Sequence, residues 1–369
     1  MIALRYAIIG CGSMGREHIH CIQALEGAQI SAIADPYKPS LEAASALISS
    51  KHLVFEDYTE LLASSVYDVL VISTPNHTHI DLMRLALKTS VPILVEKPLC
   101  TNIDDCIELV RLSAKRTAMV WVAHEYRFMP PVAEMLRMAK AGAVGRIHQV
   151  AIREHREPFY SKVGDWNRFN QNTGGTLVEK CCHYFNLMDL ILQEKPLSFY
   201  ASGGQRVNHL SEAYQGRYPD VLDSAFVIVN YPSGARAMLD LCMFAESTVD
   251  KEQISVVGDE GKLESLLPSL TLRYGQRKDF GVRTVWDPSN KHVHVEERRV
   301  SDKSIRYEGA HFGATYIQHM HFVSALRSGQ MPQISMEEGM RAVASGLAAQ
   351  LSIQTGRVIG MNEILSNNL

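Results

Sequence analysis

From Leu4 to Ala123 the chain alternates short apolar runs with amphipathic stretches. Leu4–Ile9, Gln29–Ala34, Tyr67–Ser73, Val91–Val95 and Ala118–Ala123 are too short for buried helices and predict strands. Between them, Arg16–Leu25, Ser40–Ser49, His79–Lys88 and Asp104–Lys115 carry helical spacing, and Thr59–Ser64 fits a helical turn. Strand and helix in repeated succession imply a parallel sheet with right-handed crossovers. Ligands on such sheets bind beyond the carboxyl ends of the strands.

The pattern then changes. After a helix that begins at Pro130-Pro131 and runs to about Gly142, strand signals dominate: Arg146–Glu154, Leu197–Ser202, Ser224–Tyr231, Ala235–Met243 and Glu252–Gly258. Ser233-Gly234 and the stretch VVGDEGKLE (256–264) signal hairpins. Residues 177–192 return to helical spacing, which puts Glu179 and His183 on one helical face and Leu177, Val178, Cys181 and Phe185 toward a core. Residues 273–310 are charged and irregular and fit strands or long loops equally. The expected architecture is α/β plus α+β: a Rossmann dinucleotide-binding domain over 1–125, then an open, mostly antiparallel sheet with helices on one face over 126–369. A chain of 369 residues exceeds one ordinary core, which also favours two domains.

Composition narrows the function classes. Net charge is −3, with 46% hydrophobic and 21% charged residues, so nothing favours a nucleic-acid groove. No apolar stretch reaches the roughly 18–20 residues of a membrane span. Met1–Ile9 is too short for a signal peptide and runs into a glycine motif. Seven scattered cysteines without a CxxC pair suggest free thiols in a reducing cytoplasm. His18/His20 and His77/His79 lack an accompanying metal framework, so no metal is expected.

The glycine motif carries the first chemistry. Gly10-Cys-Gly12-Ser13-Met14-Gly15 lies between a strand and a helix, and Asp35 ends the next strand. This order is the dinucleotide fingerprint. Gly10 permits the tight turn, Gly12 admits the pyrophosphate, and Gly15 lets helix and strand approach. Asp35 accepts from ribose hydroxyls and repels a 2′-phosphate, which favours NAD; Lys38 is the competing phosphate partner. Thr74, Pro75, Asn76 and His79, and also Glu96 and Lys97, sit at strand ends and belong on the cofactor side.

With GCGSMG (10–15), Asp35, STPNHTH (73–79), EKPLC (96–100), YRF (126–128), GGTLVEKCCHYFNLMDL (174–190) and GLAAQLSIQTGRVI (346–359), nearly the whole chain resembles the glucose–fructose oxidoreductase / inositol dehydrogenase family (Gfo/Idh/MocA). The resemblance implies that Lys97 is the active-site lysine, with a cis peptide before Pro98. It also implies a substrate site on one face of the second sheet and an oligomer, dimer or tetramer, packed through the other. Two positions depart from the pattern: Glu179 and Asn186 stand where Asp is usual.

Alcohol oxidation needs a base for the hydroxyl proton. His183 suits that role, with Lys97 stabilising alkoxide charge and Glu179 orienting the hydroxyl or the imidazole. The expected substrate is a sugar, sugar derivative or cyclitol, held by Arg127, Arg156, Tyr160, Trp166, Arg168 and His311; Arg153 and Asp165 are weaker polar candidates. Alternatives are a redox-assisted glycosidase acting through a transient keto-sugar, a non-catalytic NAD-binding regulator, and an NADPH-dependent reductase.

Overall fold

The computed structural model describes residues 3–280 and 295–366. Six strands form the first sheet: β1 (Leu4–Ile9), β2 (Ala28–Ala34), β3 (Leu53–Phe55), β4 (Val69–Ile72), β5 (Ile93–Glu96) and β6 (Val120–Ala123). Their order is β3-β2-β1-β4-β5-β6, and every pairing is parallel. Strands β4, β5 and β6 are buried along their whole length, which is why β4, β6 and all of β5 but its last residue, Glu96, are apolar. The exposed edge strand β3 escapes sequence reasoning because only Phe55 of its three residues is partly buried. The chain order reverses between β1 and β4, so a crevice opens beyond their carboxyl ends.

Nine strands form the second sheet: β7 (Ile147–His155), β8 (Ser198–Gly204), β9 (Ser224–Asn230), β10 (Arg236–Cys242), β11 (Glu252–Gly258), β12 (Gly261–Leu267), β13 (Thr271–Gln276), β14 (Val295–Arg299) and β15 (Ile359–Gly360). The order is β14-β13-β12-β11-β7-β10-β9-β8-β15, antiparallel except for β7 with β10. Period-two alternation turns Ala225, Val227 and Val229 into the core and Phe226 and Ile228 outward. Strands β13 and β14 resolve part of the undecided 273–310 region; residues 281–294 lie outside the described residues.

Helices Cys182–Leu192 and Met336–Thr355 pack on the second sheet. Met336–Thr355 also touches Ile103–Ser113, and Ala314–Ser328 packs on Ser13–Ala24. The chain therefore returns to the first sheet after completing most of the second. Met336–Thr355 starts with a full capping box, Ser335 and Glu338 satisfying each other's backbone N–H groups.

The single helix expected over 177–192 is two: Thr176–Glu179 and Cys182–Leu192. The Glu179 carbonyl accepts the Lys97 ammonium at 3.2 Å and the Cys182 thiol at 3.6 Å. Tertiary contact overrides a locally plausible helix where the first domain meets the second.

Candidate functional site

The cofactor end is built by backbone. Gly10 has φ +95°, and a Cβ there would lie 2.5 Å from the Ser73 carbonyl oxygen. A Cβ on Gly15 would lie 2.0 Å from the Gly10 carbonyl oxygen. Gly12 is the opposite case: a Cβ would meet nothing within 4 Å, so its backbone faces open space. The helix Ser13–Ala24 has no side-chain cap, and its first N–H groups point into that space. Such a helix start suits a phosphate. Asp35 accepts from Cys11 N at 2.7 Å and Tyr37 N at 2.8 Å, which fixes its carboxylate beside the glycine turn. The residues present therefore fit a dinucleotide.

The other end is built by side chains. Lys97 follows β5, and its ammonium reaches across to the Glu179 carbonyl. Burial opposes the Lys97 charge, but Cys182, Glu96, Glu125 and Glu179 more than offset this, and its pKa moves up. His183 is 2% exposed. Its ring stacks on Tyr126 at 4.0 Å, and burial followed by the Lys97 charge pushes it well below the usual imidazole value. The pair is therefore a charged ammonium beside a neutral imidazole at neutral pH, suited to stabilise an anion and accept a proton respectively. Glu179 is raised by its own burial, against the pull of Lys97 and Lys162. Its Oε2 has no hydrogen-bond partner among the described residues.

Several sequence candidates stand elsewhere. His79 is fully buried, and its nitrogens face the Pro98 and Thr74 carbonyls at 2.9 and 3.1 Å. It clasps the two strand-end loops together and has no nitrogen left for a cofactor. Glu96 is buried and paired with His18 at 2.9 Å, which in turn meets His319. Arg127 is buried against the Gln333 carbonyl, Asn186 and Glu338, so its role is packing of the second domain. Asn186 thereby acquires a partner: Oδ1 accepts from Arg127 at 2.6 Å. Tyr160 is 69% exposed, with its hydroxyl on Glu157. Asn76 ties the Thr74-Pro75 turn to the Thr173 carbonyl at 3.4 Å.

Trp166 lies over that turn, its ring 6.0 Å from His77. Arg168 is buried and held by Glu212 at 3.0 Å, while its charge still reaches Glu179. Arg156 donates Nε to the Glu157 carbonyl at 3.1 Å, and its ion pairs with Glu154 (3.5 Å) and Glu157 (3.6 Å) are loose. His311 approaches from the second domain, 3.8 Å from Glu125.

Three side chains that the structure brings to the site were missed. Glu125 sits between His183 and His311. It follows β6 much as Lys97 follows β5, and the same strand-end reasoning reaches it. Lys162 extends from the second domain to Ser13 Oγ in the glycine turn at 3.3 Å. Lys180 is buried between Glu154 (2.9 Å) and Glu252 (3.8 Å) and donates to the Tyr126 hydroxyl. Nothing local in the sequence marks Lys162 or Lys180. Among the described residues, no group of three or more His, Cys, Asp or Glu side chains is arranged to hold a metal.

Comparison with known proteins agrees with the fold. The family profile GFO_IDH_MocA, described as an oxidoreductase family with an NAD-binding Rossmann fold, matches residues 4–124, and the companion C-terminal alpha/beta domain profile matches residues 137–361. Myo-inositol 2-dehydrogenase of Thermotoga maritima is 22% identical over 98% of this chain and 100% of its own length. The 2,7-anhydro-N-acetylneuraminate hydratase of Escherichia coli is 22% identical over 99% of each chain. A crystal structure of an oxidoreductase from Agrobacterium radiobacter, in complex with NAD+, L-tartaric acid and magnesium, superposes with a TM-score of 0.81 at 19% identity, covering 98% of this chain and 99% of that one.

Proposed function

Because this chain belongs to the Gfo/Idh/MocA family of NAD-binding oxidoreductases, we propose that it oxidises a secondary hydroxyl of a sugar, sugar derivative or inositol, with Lys97, His183 and Glu179 as its catalytic residues. One observation carries the assignment. The Lys97 ammonium from the first domain lies on the Glu179 carbonyl of the second, one short helical break from His183.

NAD supplies the hydride acceptor. Gly10, Gly12, Ser13, Met14 and Gly15 form its phosphate turn, with Thr74, Pro75 and Asn76 on the neighbouring strand end and Asp35 at the ribose. Lys162 closes over the turn from the opposite domain. At the reacting carbon, the neutral imidazole of His183 takes the hydroxyl proton as carbonyl character develops. Lys97 stays charged and holds the oxygen as it gains negative charge. Glu179 accepts from a neighbouring hydroxyl, its charge opposed by burial and favoured by Lys97. Arg156, Trp166, Arg168 and His311 line the approach, Trp166 offering an apolar face to a sugar ring. The outward side chains Tyr200, Phe226, Ile228 and Met238 lie exposed on three adjacent strands, β8, β9 and β10. This apolar face supports a homo-oligomer.

The relative named as a hydratase keeps a second reading open: transient oxidation, elimination and return of the hydride at the same residues. One experiment separates the two. A panel of sugars, inositols and anhydro- or aryl glycosides is incubated with NAD and scored for net NADH and for bond cleavage. Net NADH with an intact skeleton is the expected result. Cleavage without net NADH supports the second reading, and neither signal from any compound rejects both.

A further inference from the structure

Glu125 is the least explained group in the site. It opens the turn Glu125–Phe128 after β6 and is 1% exposed. Neither carboxyl oxygen has a hydrogen-bond partner among the described residues. A buried carboxyl without partners loses its hydration uncompensated, so its presence calls for a role. Its Oε1 lies 3.8 Å from His183 Nε2 and 3.8 Å from His311 Nε2, beyond a formed hydrogen bond and within reach of a small rotation. His183 Nδ1 is buried and also without a partner among the described residues. The imidazole thus faces Glu125 with one nitrogen and keeps the other free.

We propose that Glu125 is the positioning and proton-relay partner of His183. The ionised Glu125 holds a proton on His183 Nε2, which leaves Nδ1 as the accepting nitrogen. When the alcohol O–H bond breaks, the proton forms an N–H bond at Nδ1. The Nε2–H bond then breaks, and its proton forms an O–H bond on Glu125. His183 ends neutral, with its tautomer exchanged, and the carboxylate charge is discharged; the hydride leaves with NAD. This relay rests on His183 being the base of the proposed dehydrogenase.

The surroundings set its pH dependence. The strand-end loop contributes Glu96 and Lys97, the broken helix Lys180 and His183, the turn Gly309–His311 contributes His311, and the carboxyl's own turn His124 and Tyr126. Burial and then Glu96 push Glu125 up to about 8, against Lys97 and Lys180. Burial and then Lys180 push His311 down to about 3, so His311 is neutral and does not hold Glu125 ionised by charge. The relay is therefore armed as pH rises through the Glu125 value.

The test has two arms. In the first, the protein carries 15N-labelled histidine, and the His183 ring nitrogens, assigned by loss of signal in His183→Ala, are followed from about pH 6 to pH 9.5 in wild type and Glu125→Gln. The relay predicts a tautomer change in wild type as Glu125 ionises and none in Glu125→Gln. Identical His183 titrations in the two proteins overturn it. In the second arm, a substrate found with the compound panel is used for pH–rate profiles. Glu125→Gln is expected to lose the limb that rises toward pH 8 and about tenfold or more in kcat, with KM and NAD affinity little changed and Glu125→Asp restoring the limb. An unchanged limb in Glu125→Gln overturns the relay. Failure of the dehydrogenase reading is distinct: wild type makes no NADH from any compound, while the nuclear magnetic resonance arm still reports on the pair.

Discussion

The glycine turn and the cluster around Lys97 both follow strands of the first sheet and are made by different means. The turn uses backbone: Gly10 and Gly15 cannot carry a Cβ, and Gly12 leaves its space open. Its parts lie within six consecutive residues, with Asp35 one strand away. The pocket uses side chains gathered from β5, the turn after β6, a broken helix and a late turn. On the proposed function, cofactor recognition is largely local and steric, whereas the reaction would depend on charges that perturb one another across domains.

That contrast is open to attack from both ends. The largest expected effect is at the pocket. Lys97→Met and His183→Ala should each lower turnover by about 10²-fold or more while leaving the NAD dissociation constant within about threefold, by steady-state kinetics and fluorescence titration. Comparable losses of NAD affinity would dissolve the distinction between the two ends. Next, Gly15→Ala should weaken NAD binding by roughly 10²-fold, since overpacking of about 3 kcal/mol converts to that ratio. Circular dichroism checks that the sheet persists.

Lys162→Met is expected to weaken NAD by about tenfold, the worth of one charge-assisted contact, with a smaller effect on adenosine, which lacks the phosphates. Equal losses for both ligands would move Lys162 away from the phosphate turn. The smallest effect is on stability. Glu125 is raised above the ordinary carboxyl value, so the folded state binds more protons between that value and about 8. Its stabilising contribution is full below the ordinary carboxyl value and is lost as pH rises through about 8. Glu125→Gln removes the loss, and the melting temperature of the variant relative to wild type should climb between about pH 5 and pH 9. A constant difference across that range would mean that Glu125 ionises as freely as an exposed carboxyl.

The same contrast explains what the sequence disclosed. β1, the glycine turn and Asp35 are legible because apolar runs and glycines act over a few residues. β11 was readable residue for residue, from Glu252 to Gly258, since one buried face imposes period-two alternation. β3 was not, because an exposed edge of three residues leaves no pattern. The helix over 177–192 broke at a point fixed by Lys97, far away in sequence. His79 and Glu96 stood on the expected side of the sheet, yet burial turned both to structural partners. Lys162 and Lys180 carry no local signal, since their roles come only from the packing of one domain on the other.

The central claim, that Lys97 and His183 act as one device on one hydroxyl, is tested most directly by the turnover of the double variant Lys97→Met/His183→Ala beside the two single variants, at saturating NAD. Groups that act as a unit give a double variant about as slow as the slower single one. If the two losses instead multiply, the ammonium and the imidazole work independently, and the account of a shared site is wrong.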